Sequence, residues 1–342
     1  MSKSRIRVIQ GYTGTIAKAQ IRMIAGHPDV DLVGTLVHHE DKVGLDAGEI
    51  AGIDPLGVRA TNRLDDILSL EADVVLYNPP TDTLTDVIPM LASGKNVITS
   101  TGGTNAKLHP DYASLVQACE TGQSSFMGSG INPGYAPDVL PMVASALCAR
   151  VDAVHVFAGG NVRHLDPGGL RLMGFGQTPG QQAEDSVFID HVVGSYQQTT
   201  RFLAEALSLE IDGLLVEPEF EPALQDIDGA LPVPKGATAG IRLSLVGTVA
   251  GRRAAILENT WFMGRENVRD AWLGPARDRG WTVKVYGDPD VELNVDVSGF
   301  DDSQRGGSQL TAARVFNSIP AVCTARPGVL TYLDVPIPRV WQ

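Results

Sequence analysis

Three cysteines in 342 residues, Cys119, Cys148 and Cys323, are too few and too scattered for a disulfide framework or for the paired spacing of a structural zinc site. They read as buried thiols in a reducing compartment, and we expect a cytoplasmic protein. Long apolar runs are missing as well: none approaches the roughly 18 residues of a membrane helix, and the opening MSKSRIRVIQ has no hydrophobic signal segment. Basic residues are outnumbered, with 27 Lys and Arg against 40 Asp and Glu, for a net charge of −13. No broad basic face survives that surplus, which argues against nucleic acid or an anionic membrane as partner. Apart from the adjacent His38-His39, histidines and acids do not fall at metal-ligand spacing, so no metal is expected. What remains is a small-molecule partner and a chain long enough for two domains with aliphatic cores, since aromatics are only 6% against 43% hydrophobic residues.

Through about residue 150, short apolar runs alternate with helical stretches: IRVIQ (6–10), DLVGTLV (31–37), ADVVLYN (72–78), KNVITS (95–100) and SSFMGSG (124–130), with segments such as TLTDVIPMLASG (83–94) between them. Continuous apolar runs followed by helices indicate parallel strands covered on both faces, an α/β doubly wound sheet of Rossmann type. APDVLPMVASALCAR (136–150) is the expected helix after the last of these strands. Beyond it the texture changes. VDAVHVFAG (151–159) reads as a strand and 185–207 as a long helix; 241–263 reads as a hairpin closed at Ala250-Gly251, and 281–299 as another around Gly287-Asp288. We therefore expect a Rossmann domain over 1–150 and an α+β substrate or dimerisation domain over 151–309. A C-terminal segment, 310–342, is expected to be helical until Pro320 and to return to the first domain.

Directly after the first strand stands Gly11-Tyr12-Thr13-Gly14-Thr15-Ile16-Ala17, a G-x-x-G-x-x-A spacing at the head of a βαβ unit. Glycines there permit unusual dihedrals and let a diphosphate approach the backbone, while the following helix N-terminus offers unpaired N–H groups. Thr13 and Thr15 can add hydroxyl contacts. At the end of the second strand His38 occupies the place an acid takes in NAD binding, and His39 and Lys42 suit a 2′-phosphate. Glu40 and Asp41 suit a ribose diol instead. NADP is the favoured cofactor and NAD the alternative.

Ligands of open parallel sheets lie outside the carboxyl ends of the strands. Three successive strand ends carry loops rich in Gly, Pro, amide and hydroxyl groups: Asn78-Pro79-Pro80-Thr81, Ser100-Thr101-Gly102-Gly103-Thr104-Asn105 and Gly130-Ile131-Asn132-Pro133-Gly134-Tyr135. Together they form a crevice for the nicotinamide half. Hydride transfer requires a proton donor near the reacting oxygen or nitrogen. The candidates are Tyr135, Asn161 and His164, with His155 the more suited to a core or interface role. The run Leu172–Gln177 offers Met173, Phe175 and Gln177 as apolar pocket wall, the alternative for such residues being core packing. Arg163 and Arg171 are the cations at hand for gripping a carboxylate.

GYTGTIAKAQI (11–21), ITSTGG (98–103), GSGINPGYAPDVLPM (128–142) and FNSIPAVCTARPGVLTYLDVP (316–336) resemble the dihydrodipicolinate-reductase-like superfamily, within it the branch of 2,4-diaminopentanoate dehydrogenase and the native amine dehydrogenases. The resemblance implies a nicotinamide-dependent oxidoreductase acting on C=N or C=O, a C-terminal domain supporting a homodimer, and Asn317 as a further cofactor contact. Two departures stand out. Nothing between 151 and 240 matches the histidine-pair and lysine motif of true dihydrodipicolinate reductases, which argues against lysine biosynthesis. Gly102 and Gly103 occupy the place of the glutamate with which amine dehydrogenases activate ammonia or water. An amine dehydrogenase using another acid and an NADP-binding sensor without turnover are the alternative readings.

Overall fold

The computed structural model describes residues 5–79, 84–178, 187–299 and 306–341. The chain divides into two compact units, Met1–Tyr135 with Gly306–Gln342, and Ala136–Arg305.

Unit one is built on a seven-stranded parallel sheet. Its strands are β1 (Ile6–Gly11), β2 (Val30–Leu36), β3 (Ala60–Thr61), β4 (Val74–Tyr77), β5 (Asn96–Thr99), β6 (Ser125–Gly128) and, from the C-terminal segment, β13 (Gly328–Leu330), in the order β13-β6-β5-β4-β1-β2-β3. The helices of this unit are α1 (Thr15–Gly26), α2 (Ala47–Ala51), α3 (Leu64–Ser69), α4 (Val87–Ala92) and α5 (Tyr112–Gly122), joined by α10 (Gly306–Asn317) and α11 (Ile319–Thr324). Helices α4 and α5 share a buried cluster with Ile9, Val75, Tyr77 and Val97. Val8, Val74, Leu76 and Ile98, on the opposite face by alternation, are equally buried. This is why the strands read as unbroken apolar runs: burying each such side chain stabilises by about 1.5–3 kcal/mol, and both faces contribute.

Two local expectations change. The helix expected until Pro320 ends at Asn317, but Pro320 itself belongs to the next helix. It sits in the first turn of α11, where the N–H that proline lacks has no intrahelical acceptor, and the chain then adds β13 in parallel to β6. The helical stretch of 136–150 is confined to α6 (Val139–Ser145), because Arg150 already pairs in the next strand. Packing of α6 is on strands of unit two.

That second unit holds a six-stranded sheet, β12 (Val291–Asp296), β11 (Gly280–Asp288), β7 (Arg150–Asn161), β10 (Arg252–Phe262), β9 (Thr238–Val249) and β8 (Gly213–Pro222), in that order, antiparallel except between β7 and β10. The β9–β10 hairpin closes at Ala250-Gly251 with φ of 49° and 73°, the left-handed pair of a tight primed turn. The second hairpin pairs Val285 with Val291 and so centres its loop on Asp288. Helix α7 (Pro167–Met173) is capped by Asp166, α8 (Val187–Ala206) packs on β9 and β10, and α9 (Asp270–Leu273) brings Trp272 against Arg242. No helix among the described residues is long and apolar enough to cross a membrane. No group of three or more His, Cys, Asp or Glu among them is placed to hold a metal ion. Of the three thiols, Cys119 is buried, while Cys148 and Cys323 are half-buried.

Candidate active site

The glycine loop joins β1 to α1 at the carboxyl edge of the first sheet, and its two glycines have different reasons. A Cβ on Gly11 would stand 2.7 Å from Tyr77 Cδ2 and 3.3 Å from the Leu76 carbonyl oxygen, so β4 demands a glycine there. A Cβ on Gly14 would meet nothing within 4 Å among the described residues. Gly14 caps α1 in extended conformation, with no side-chain cap and no acid in the first turn. A helix N-terminus left open in this way concentrates donors and positive potential, and its surroundings fit a nucleotide diphosphate. Thr13 is buried and its Oγ1 accepts from Lys42 Nζ at 3.1 Å, which ties the loop to the short 3₁₀ turn Glu40–Lys42 after β2. Thr15 and Ile16 open α1.

At the end of β2, His38 and His39 are exposed, and Glu40 accepts from Asn62 Nδ2 at 2.8 Å. Beside β4, Asn78 donates to Gln20 Oε1 on α1 at 2.6 Å and through its backbone to the Gly11 carbonyl at 3.2 Å. The Pro79 carbonyl accepts from Thr101 Oγ1 at 2.8 Å, and Ser100 N–H donates to the Tyr77 carbonyl, so the loops after β4 and β5 are bound together. Pro80 and Thr81 lie outside the described residues. Gly102 and Gly103 have φ of 65° and 74°. A Cβ on Gly103 would press on Phe126 at 3.0 Å, and one on Gly128 would strike the Gly102–Thr104 backbone. Thr104 Oγ1 and Asn105 Oδ1 are buried there with no partner among the described residues.

The 130–135 loop folds on itself. Asn132-Pro133 is cis, Gly134 has φ of 118°, and a Cβ on Gly134 would overlap Gly130. Tyr135, at its end, faces Arg314 of α10, whose guanidinium carbon lies 5.3 Å from the Tyr135 ring and 5.0 Å from that of Tyr332. Arg314 is only 8% exposed and donates to the Pro338 carbonyl at 2.9 Å. Tyr332 hydroxyl donates to Ser129 Oγ, which meets Ser318 Oγ at 3.0 Å. Asn317, by contrast, spends its Oδ1 on the Trp341 N–H of the C-terminal tail at 3.1 Å.

In unit two, Asn161 ends β7 and its Oδ1 accepts from Arg163 N–H. His164 follows. Partial desolvation, and then repulsion from Arg279, hold its imidazole below the usual range against an opposing hydrogen bond to the Asn161 backbone. Met173 and Phe175 are buried in the apolar core of this unit with Ile241, Phe262 and Trp272, while Gln177 is exposed and holds Thr238 N–H through its carbonyl. Arg163 is committed to Glu266 and to the Asp228 carbonyl. His155 stacks on Phe157 at 3.7 Å, with Nε2 3.4 Å from Glu258.

Sequence reasoning passed over Tyr12, Tyr77 and Arg314. Tyr77 is fully buried beneath the glycine loop and donates to Asp86 at 2.9 Å; burial first, then its bonds with Tyr12 and Asp86, raise its phenol far above the ordinary range. The only signal for Tyr12 was a large residue between two glycines. Arg314 carried no signal at all.

With this geometry in view, the comparisons with known proteins are consistent along the chain. Residues 5–123 match the dihydrodipicolinate reductase N-terminus, and residues 136–342 match the 2,4-diaminopentanoate dehydrogenase C-terminal domain. An amine dehydrogenase of Streptomyces virginiae is 27% identical over 345 residues, spanning 95% of this chain and 94% of that protein. The 2,4-diaminopentanoate dehydrogenase of Acetoanaerobium sticklandii is 27% identical over 293 residues, 80% of this chain and 77% of its own length. The solved structure of an amine dehydrogenase from Mycobacterium smegmatis has the same fold, with a TM-score of 0.76 at 18% identity over 99% and 98% of the two chains. Since the C-terminal match alone takes in more than half of the residues, the chain belongs to the 2,4-diaminopentanoate dehydrogenase family, on a dihydrodipicolinate-reductase-type N-terminal domain.

Proposed function

We propose that this chain is an NAD(P)H-dependent oxidoreductase that moves hydride between the nicotinamide ring and a C=O or C=N carbon of a small, largely apolar substrate. The observation that carries the reading is Gly14, an open helix cap on the glycine loop with no packing reason to be glycine. A bound nicotinamide coenzyme supplies the hydride. Gly11, Thr13, Gly14, Thr15 and Ile16 hold its diphosphate through backbone amides. Asn78, Pro79, Ser100, Thr101 and Gly102, with Asn132, Pro133 and Gly134, line its nicotinamide side. NADP is favoured over NAD: Glu40, the first acid after β2, is engaged with Asn62, whereas His38, His39 and Lys42 suit a 2′-phosphate. Lys42 keeps donors beyond the one used on Thr13.

Tyr135 is our choice of proton donor. Oxygen gathers negative charge as hydride reaches a carbonyl carbon, and a phenol within hydrogen-bond reach neutralises it. The guanidinium of Arg314 over the Tyr135 ring holds that ring in place at the end of the loop. His164, held below the usual imidazole range, is neutral at pH 7 and suits accepting a proton rather than giving one. Similarity to an amine dehydrogenase along nearly the whole chain favours a second reading, reductive amination with an acid other than a glutamate at 102 or 103. We also infer a homodimer formed through unit two, whose sheet keeps Leu215 and Tyr286 exposed and Lys284 half-buried.

Titration of tryptophan fluorescence with NADPH and NADH, followed by a ketone, aldehyde and imine panel at 340 nm with and without ammonium, tests these readings. Absence of binding by either coenzyme at millimolar concentration removes the oxidoreductase. NADPH consumption that requires both ketone and ammonium selects the amine reading.

A further inference from the structure

Tyr12 stands in the glycine loop with φ of 64°, a left-handed backbone that glycine adopts freely and that is unfavourable for a residue with a Cβ. Several contacts hold it there. Its N–H donates to the Leu36 carbonyl at the end of β2 at 2.7 Å. Its ring meets Tyr77 in a T-shaped contact at 5.3 Å, the two side chains share a hydrogen bond, and Tyr77 is anchored in turn on Asp86. On the other side Tyr12 lies 6.2 Å from His38 at a 37° tilt, and His38 meets His39 edge-on at 5.5 Å. A row of rings, Tyr77, Tyr12, His38 and His39, thus crosses the carboxyl ends of β4, β1 and β2. Neither neighbour stacks face to face on Tyr12, which is half-buried.

Strain of this kind, over-determined by surrounding bonds, concentrates where a side chain must be aimed. The β2 side of the glycine loop is where the adenosine half of a dinucleotide lies in an open parallel sheet. We infer that Tyr12, with His38 beside it, is the platform on which the adenine base of the coenzyme stacks. Loop, strand and the buried Tyr77 with its partner Asp86 exist in this arrangement to present that ring. The inference rests on the coenzyme reading above and adds to it a residue that sets affinity for one half of the molecule only.

The test uses the full chain with two fragments, adenosine 2′,5′-bisphosphate and nicotinamide mononucleotide, each titrated calorimetrically. Tyr12→Asn keeps a residue that tolerates left-handed backbone and removes the ring; Tyr12→Phe keeps the ring. Base stacking on an aromatic side chain is strong enough that Y12N weakens adenosine 2′,5′-bisphosphate about tenfold, with nicotinamide mononucleotide changed about twofold or less. Y12F stays within about threefold of wild type for both, since the stacking surface is intact. Undiminished binding of the adenosine fragment to Y12N overturns the inference, and so does an equal loss of both fragments, which marks a merely structural ring. Wild-type protein that binds neither fragment sinks the coenzyme reading itself, and the platform with it.

Discussion

Alanine at position 103 isolates why a glycine stands where an acid was looked for. Gly103 has φ of 74°, and its missing Cβ would lie 3.0 Å from two ring carbons of Phe126 and 3.2 Å from Thr99 Cγ2. Left-handed backbone costs a residue with a Cβ roughly 1–2 kcal/mol. Forcing a methyl group into a packed site costs about 1–3 kcal/mol more, and Phe126, at 1% exposure, has nowhere to swing. Gly103→Ala therefore loses about 3 kcal/mol, which for a unit of this size lowers Tm by roughly 10 °C. Gly102, with φ of 65°, bears the backbone cost, and Gly102→Ala lowers Tm by about 4 °C. Scanning calorimetry of the two variants, with urea melts to confirm an unchanged m value, measures both. Should G103A melt within about 2 °C of wild type, or G102A prove the more damaging, the packing argument fails. The consequence is chemical: a glutamate at 103 meets Phe126 before it meets any substrate, so a gain of ammonia-dependent turnover is to be sought at 102.

Three further outcomes follow from the same geometry. Asp46 caps α2 and accepts from Gly48, Leu56 and Gly57 at 2.7–2.8 Å; although burial raises its pKa, the backbone donors prevail and hold it below the usual carboxylate range. Its contribution is present at neutral pH and fades as pH falls through that lowered value, so Asp46→Ala costs about 1–2 kcal/mol at pH 7 and the Tm gap to wild type narrows in acid. Lys42→Met weakens NADPH at least about tenfold and NADH by about twofold, read as a change in the ratio of their Kd values; equal losses would place Lys42 away from the 2′-phosphate. Tyr135→Phe lowers kcat about 100-fold or more with NADPH affinity intact, and a kcat within about threefold of wild type would end the case for Tyr135 as donor.

Much of the fold was legible because its signals are local. An apolar run of about four to seven residues must be covered on both faces wherever it lies, so the parallel sheet could be read from β1, β2, β4, β5 and β6 alone. Ala250-Gly251 encodes its turn in two adjacent residues. The context of the glycine loop, strand before and helix after, was equally visible.

Other features depend on which residue arrives next to which, and no local pattern carries that. Gly11 is glycine because Tyr77, from another strand, occupies the space of its side chain, and Gly14 is glycine with that space open; the two are indistinguishable until β4 is in place. Met173 and Phe175 suited either a pocket wall or a core by sequence and lie in a core, because Ile241, Phe262 and Trp272 converge on them from distant segments. Pro320 looked like a stop, and one helix does end at Asn317, yet Pro320 also stands in the first turn of the next, since what a proline does depends on whether its nitrogen had an acceptor to lose. Arg314 is unremarkable in the sequence and becomes a buried cation against Tyr135 only when α10 docks beside the 130–135 loop. Periodicity and turn chemistry act within a few residues; close packing acts through space, and in this chain it decides which side chains meet.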